Sequence, residues 1–238
     1  MDSLDPPAGR RSGMINPAGI SGYDAEAFIR ANIPLVAAPS IAGIRVHTAQ
    51  PSTGLWRLLE SRRGAGALSP YWAYPWAGGI ALAMHFLAHP EIVWQRRVLD
   101  LGAGGGLVAI AAAKAGAASV TAADIDPLAA VATKLNAVAN GADVLVVQDD
   151  LTMGPPPAVD VVAVGDLFYD QDLALRVTAF LDRCLAAGIE VLVGDPGRAF
   201  LPYQRLRPVA DYQVADFGET SATKPAGVFS FTREGEGG

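Results

Sequence analysis

Acidic side chains recur just after short apolar runs: Asp100 in VLDLGAGGG, Asp124 in VTAADID, Asp149 and Asp150 in VVQDD, and Asp166 in VVAVGDLFYD. Around the first, a strand ends near Asp100 and a glycine turn at Gly102, Gly104 and Gly106 opens a helix. Glycine suits such a turn because a Cβ would hold a bound ligand away from the backbone, and the tight turn needs permissive φ. Twenty-two residues beyond Gly102 a second strand ends in Asp124. A carboxylate there can accept both hydroxyls of a ribose.

Two ligands suit this geometry. A dinucleotide calls for G-x-G-x-x-G, but counted from Gly102 the third glycine position is Leu107. A register from Gly104 through Gly106 to Ala109 puts the turn inside the helix. The D-x-G-x-G-x-G form, Asp100 to Gly106, instead matches the S-adenosylmethionine site of class I methyltransferases. Asp100 then faces the methionine end of the donor, a place an anionic pyrophosphate would not tolerate. A glycine turn with no ligand is the bland alternative, and the matching ribose acid argues against it.

The next strand ends at Asp149 and Asp150, either of which can accept from an adenine amino group; the choice between them, taken here as Asp150, rests on register alone. Both also suit an ordinary Asp-rich turn before GPPP. In a doubly wound sheet the following strand lies beside the first, so Gly165 and Asp166 emerge next to the glycine loop at the topological switch point. Enzymes that methylate planar nitrogens carry N/D-P-P-Y here, whereas this chain has Asp166, Leu167, Phe168 and Tyr169 with no proline pair. A lysine amine fits better. Its nitrogen gains positive charge as it attacks a sulfonium methyl, and Asp166 with the faces of Phe168 or Tyr169 would stabilise that charge. A free amine has a pKa near ~10.4, so an apolar aromatic cleft also helps to remove its proton.

The elements that must hold these residues alternate in type. Apolar strands are expected at Arg97–Leu101, Ser119–Ala123, Val144–Val147, Val159–Val164 and Glu190–Val193. Helices are expected at Pro75–Ala88, with Pro75 in the first turn, at Gly106–Ala115, after the cap Asp126 with Pro127 first, and from the cap Asp170 to Ala187. This alternation spells an α/β fold, a doubly wound and mostly parallel sheet buried on both faces. Val209–Phe217 and Gly227–Thr232 read as a closing antiparallel hairpin. Before these, short helices at Asp24–Ala31 and Leu55–Ser61 flank a strand at Ile44–Thr48, and SRRGAGALSP is a loop. Three parts follow: a disordered tail over residues 1–20, in which Met14 is a second candidate start, an N-terminal extension over 21–74 packing on the cleft, and the main domain over 75–238.

Composition narrows the partners. The 238 residues carry 24 acids against 18 bases, of which only three are Lys, and no basic face is visible. That balance, with a pI near 5.0, argues against a nucleic-acid partner. Mean hydropathy is +0.27, yet no stretch reaches the roughly 18 apolar residues of a membrane helix. The single Cys184 suits a reducing cytoplasm. No heptad or long apolar edge asks for a partner copy, so a monomer is the expectation.

The segments PYWAYPWAGGIALAMHFLAHP, VLDLGAGGGLVAIAAAKAGA, ADIDPLAA, GDLFYDQDLA and VLVGDPGR occur in this order and spacing. Together they resemble the electron transfer flavoprotein β-subunit lysine methyltransferases, within the seven-β-strand protein methyltransferases of family 16; a similarity to ribosomal protein L11 methyltransferases covers only the cofactor half. The resemblance implies a seven-stranded sheet in the order 3-2-1-4-5-7-6 with strand 7 antiparallel, and S-adenosylmethionine as cofactor. It places Trp76, Gly102, Gly104, Asp124 and Gly165 around the donor and puts Asp166 and Tyr169 at a D-x-x-Y acceptor motif. It further implies lysine of the flavoprotein β-subunit, and ribosomal protein L7/L12, as substrates. The N-terminus lacks the presequence of eukaryotic members, which points to a bacterial cytoplasm.

Other conspicuous residues have plainer readings. Trp72, Tyr74 and Trp76 alternate sides if extended, which exposes at least one at the cleft. His85 and His89 read as a helix-face pair without the further ligands of a zinc site, and no metal is expected. Asp195 and Arg198 in GDPGR form either a loop-internal ion pair or a contact to substrate. Competing functions remain: a class I methyltransferase acting on another ribosomal protein or on a small amine, the latter with a lid drawn from residues 21–70, and, less favoured, a nicotinamide oxidoreductase.

Overall fold

The computed structural model describes residues 22–50, 53–63, 69–215 and 223–235. The expected tail therefore lies outside the described residues, as do most of the Gly-rich loop before Leu68 and the tip of the final hairpin. The N-terminal part has α1 (Gly22–Asn32), an antiparallel ribbon of β1 (Leu35–Ala37) and β2 (Arg45–His47), and α2 (Leu55–Arg63). Strand β1 is not legible in the sequence: three residues are too few to show alternation.

The main body follows as α3 (Ala77–Ala88), β3 (Arg97–Leu101), α4 (Leu107–Lys114), β4 (Ser119–Asp124), α5 (Pro127–Asn140) and β5 (Leu145–Gln148). Then come β6 (Val161–Gly165), α6 (Gln171–Ala186), β7 (Glu190–Asp195), β8 (Leu206–Ala215) and β9 (Thr223–Phe231). The seven-stranded sheet runs β5-β4-β3-β6-β7-β9-β8, and β9 is antiparallel to both its neighbours. Renumbered within the sheet this is 3-2-1-4-5-7-6, the expected order.

The central strands β3, β6 and β7 are mainly apolar between their ends because both faces are covered, whereas the edge strand β5 is partly exposed. On one face, Ile80, Leu82 and Phe86 of α3 pack with Ile110 of α4 against Val98, Val161 and Val228. On the other, Val177, Phe180 and Leu181 of α6 cover Leu99, Val162 and Val193. The N-terminal part has its own apolar contact, in which Phe28, Ile29, Leu55 and Leu59 pack with Leu128 and Leu135 of α5.

Caps account for several boundaries. Asp126 accepts from the Leu128 N–H with Pro127 in the first turn, and Asp170 accepts from the Leu173 N–H, as the sequence predicts. Pro75 differs from expectation: α3 begins two residues later, after Trp76, whose side chain gives it no cap. Helix α4 likewise starts after Gly106 without a local cap. Both helices are capped from elsewhere, by Asp166 and Asp100.

Candidate active site

A cleft of about 660 Å³ opens at the carboxyl ends of β3, β4 and β6. It is lined by all nine residues expected from the sequence: Trp76, Asp100, Gly102, Gly104, Asp124, Asp150, Gly165, Asp166 and Tyr169. This is where ligands sit in open parallel sheets, between β3 and β6 where the strand order reverses.

The glycine loop is shaped by its neighbours. Gly102 has φ +69°, and a Cβ there would lie 2.6 Å from a Leu167 methyl carbon, so the loop after β6 rests directly on the glycine turn. Asp124 ties the loop down: its Oδ2 accepts from the Gly104 N–H at 2.8 Å and its Oδ1 from the Asp126 N–H at 2.9 Å. Asp100 is buried and its Oδ2 accepts from the Ala109 N–H in the first turn of α4. That oxygen is committed to the helix, a structural duty beyond its expected place by the donor.

Asp149 and Asp150 both line the cleft. Asp150 accepts from the Thr152 N–H and hydroxyl, capping the turn Leu151–Met153, and Asp149 accepts from the Asp150 N–H. The Asp-rich turn expected before GPPP is thus formed at the cleft.

Asp166 is the most constrained residue of the site. It has φ +59°, a left-handed conformation that aspartate tolerates better than most side chains, and its N–H is held by Gly194 O at 3.0 Å. Only 5% of it is exposed. Its Oδ2 accepts from the Gly79 N–H of α3 at 2.8 Å, which supplies the missing cap. Its Oδ1 accepts from Arg198 Nη2 at 2.7 Å and Nε at 3.1 Å. Arg198 is therefore neither a purely loop-internal partner of Asp195 nor only a surface group. The main chain approaches closely here: a Cβ on Gly78 would stand 2.1 Å from Gly194 O and 2.7 Å from Asp166 Oδ2.

The aromatic residues depart from expectation in two ways. Phe168 is fully buried in the core under α6, so its ring faces no acceptor, while Tyr169 is 44% exposed at the cleft mouth. Residues Tyr71–Ala73 form a 3-10 turn, which breaks the alternation expected of an extended segment. The turn buries Trp72 and exposes Tyr71, whose ring lies 5.4 Å from that of Tyr169 and 6.0 Å from that of Trp76. Tyr71, with His47, Thr48 and Ser69 from the N-terminal part, lines the cleft and was not singled out in the sequence. The run YWAYPW is the signal that points to it.

The acidic lining favours a cationic ligand. Burial pushes the carboxyls of Asp124 and Asp166 above their usual range, the latter against the pull of Arg198, and pushes that of Asp100 up to about 7. Asp126, Asp149, Asp150 and Asp170 also line the cleft, against the cations Arg176 and Arg198. Such a surplus of acid repels a pyrophosphate and attracts a ligand carrying an ammonium and a sulfonium. S-adenosylmethionine, expected from the glycine motif, fits this donor set. Among the described residues no cluster of three or more His, Cys, Asp or Glu offers a metal site. His85 instead donates to or accepts from the Tyr212 hydroxyl at 2.9 Å.

Residues 82–164 match the family model described as ribosomal protein L11 methyltransferase. The electron transfer flavoprotein β-subunit lysine methyltransferase of Xenopus laevis is 36% identical over 230 residues, 92% of this chain and 91% of its own. The chain belongs to the electron transfer flavoprotein β-subunit lysine methyltransferase family. The Danio rerio protein of that name is 43% identical over 153 residues, 62% of this chain, and the match spans 59% of its length. A solved structure described as an RNA methyltransferase, from Pyrococcus horikoshii, shares the fold at a TM-score of 0.51 and 13% identity, covering 89% of this chain and 98% of its own. The glycine loop, Asp124 and, from the segment GDLFYD, Gly165, Asp166, Leu167, Tyr169 and Asp170 all line one cleft.

Proposed function

We propose that the protein transfers a methyl group from S-adenosylmethionine to the Nζ of lysine in the electron transfer flavoprotein β-subunit. The observation that carries this reading is the acid-rich cleft joined to a Tyr71, Trp76 and Tyr169 rim. A cationic donor is held by buried carboxylates, and an amine acceptor enters past aromatic faces. The donor supplies an electrophilic methyl carbon on sulfur; its carbon–sulfur bond breaks with the electron pair going to sulfur as the new nitrogen–carbon bond forms.

This chain's residues do the rest. Asp124 orders the glycine loop and takes the ribose hydroxyls, Asp150 lies toward the adenine, and Asp100 answers the charge of the methionine end. Gly165 and Trp76 shape the wall near the methyl group. Asp166 and Tyr169 serve the acceptor nitrogen: the carboxylate favours the positive charge that grows on it, and the ring shields it from water. The extra proton on nitrogen leaves to solvent. Residues 46–48, 69 and 71–74 form one wall of the cleft, the protein acts as a monomer on a protein rather than a nucleic acid or membrane, and the single, buried Cys184 suits a reducing bacterial cytoplasm. No described helix is long and apolar enough to cross a membrane.

The test is the intact mass of purified flavoprotein after incubation with the protein and S-adenosylmethionine, with L7/L12 as a second candidate substrate. Methyl-sized mass steps on the β-subunit, absent without the protein, are the expected result. No step on the flavoprotein, with donor binding shown separately, would remove that substrate.

A further inference from the structure

Resting on that reading, we infer that Arg198 occupies the acceptor subsite of the free protein and that the incoming lysine displaces it toward Asp195. A lysine ammonium would use two groups here, a carboxylate and an aromatic face. Arg198 already uses both: two of its N–H groups reach Asp166 Oδ1, and its guanidinium carbon lies 5.5 Å from the Trp76 ring centre. The second oxygen of Asp166 is committed to α3. An ion pair presents almost no net charge to a third partner, so Asp166 cannot stabilise a cation on the acceptor while Arg198 holds it.

A landing place stands beside it. Asp195 Oδ1 accepts from the N–H groups of Gly197 and Arg198, each at 2.7 Å, which fixes the loop. Its Oδ2 is buried, has no hydrogen-bond partner among the described residues, and lies 4.0 Å from Arg198 Nε. An unsatisfied buried carboxylate oxygen is costly. A short swing of the guanidinium from Asp166 to Asp195 satisfies it and opens Asp166 in the same movement. Arg198 is then a specificity residue. An acceptor must offset the lost Arg198–Asp166 pair, which a long primary amine reaching both groups does and a short or neutral one does not.

The experiment measures calorimetric binding of n-butylammonium, a lysine side-chain mimic, to protein saturated with S-adenosylhomocysteine. If one molecule in ten has the subsite open, removing the occupant tightens binding about tenfold. Arg198→Met is expected to show that gain, and Asp166→Asn in the same chain to abolish it. Arg198→Lys stays near wild type, since it leaves a cation in the subsite. Asp195→Asn, which removes the charged landing place, weakens binding about threefold if the open fraction falls from about one in ten to about one in thirty. Binding by Arg198→Met no tighter than wild type overturns the inference; if that variant does not fold, unchanged binding by Asp195→Asn does so instead. Methylation of the flavoprotein is scored in parallel. Its absence from wild type, with the binding order intact, removes the substrate reading and leaves the displaced arginine.

Discussion

Gly78→Ala isolates the contact on which the acceptor side of the cleft is built. The added Cβ would stand 2.1 Å from Gly194 O and 2.7 Å from Asp166 Oδ2. Comfortable contacts of this kind lie near ~3.5 Å, so α3 and β7 must part by about 1.4 Å. Overpacking on this scale costs about 1–3 kcal/mol. Parting the two elements also loses the charged hydrogen bond from Gly79 to Asp166, worth about 1.5–3 kcal/mol. Against this, alanine is better than glycine in a helix by up to about 1 kcal/mol. The clash wins, by about 2–5 kcal/mol, which lowers the melting temperature by roughly 5–15 °C in a chain of this size. Gly79→Ala is the matched control, because its Cβ meets only a Val108 methyl at 3.8 Å. It is expected to be neutral or slightly stabilising. Urea denaturation of both variants decides the matter: equal stability of Gly78→Ala and Gly79→Ala would refute the close-approach reasoning.

Asp124→Ala removes the acceptor for the Gly104 and Asp126 N–H groups along with the ribose partner. Donor affinity should fall by about tenfold to a hundredfold, the equivalent of one charged hydrogen bond; unchanged calorimetric affinity would sink the ribose role. Asp166→Asn keeps an oxygen for Gly79 and loses the charge, so kcat on the flavoprotein should drop about tenfold or more with donor affinity within twofold. Wild-type turnover in that variant would remove the acceptor assignment. Asp100, raised to about 7 by burial, gives a pH signature. Its folded pKa exceeds its unfolded one, so the stability it contributes is present in acid and declines as pH rises toward about 7. A cationic donor prefers the ionised form, so donor affinity should increase between pH 6 and 8 by about tenfold at most. Calorimetry on Asp100→Asn should show that rise abolished.

What was legible in the sequence follows from how locally each feature is encoded. The strands from Arg97 to Asp195 are continuous apolar runs bounded by glycine or aspartate, so periodicity and punctuation place them within a residue or two. The caps Asp126 and Asp170 act on their own chain two or three residues on, and local spacing shows them. The caps of α3 and α4 come from 87 and nine residues away, and no local pattern announces them. Phe168 and Tyr169 are adjacent, yet one is core and the other rim, because the left-handed turn at Asp166 redirects the chain. The Arg198–Asp166 pair joins two strand ends 32 residues apart, a juxtaposition that only the β6–β7 pairing creates.

Asn136 of α5 has a consequence for anyone recombining this chain with its relatives. Its Oδ1 accepts from the His47 N–H of β2 while its Nδ2 donates to Gly105 O in the glycine loop. One amide is thus a rivet through three pieces of sequence, and Asn140 one turn on binds Arg45 from both sides of its own amide. A chimera cut just before Pro70 would keep the quoted motifs and yet make that rivet depend on another parent's ribbon presenting its backbone N–H at the same place. Crossovers are better placed so that the ribbon, α5 and the glycine turn are inherited from the same parent.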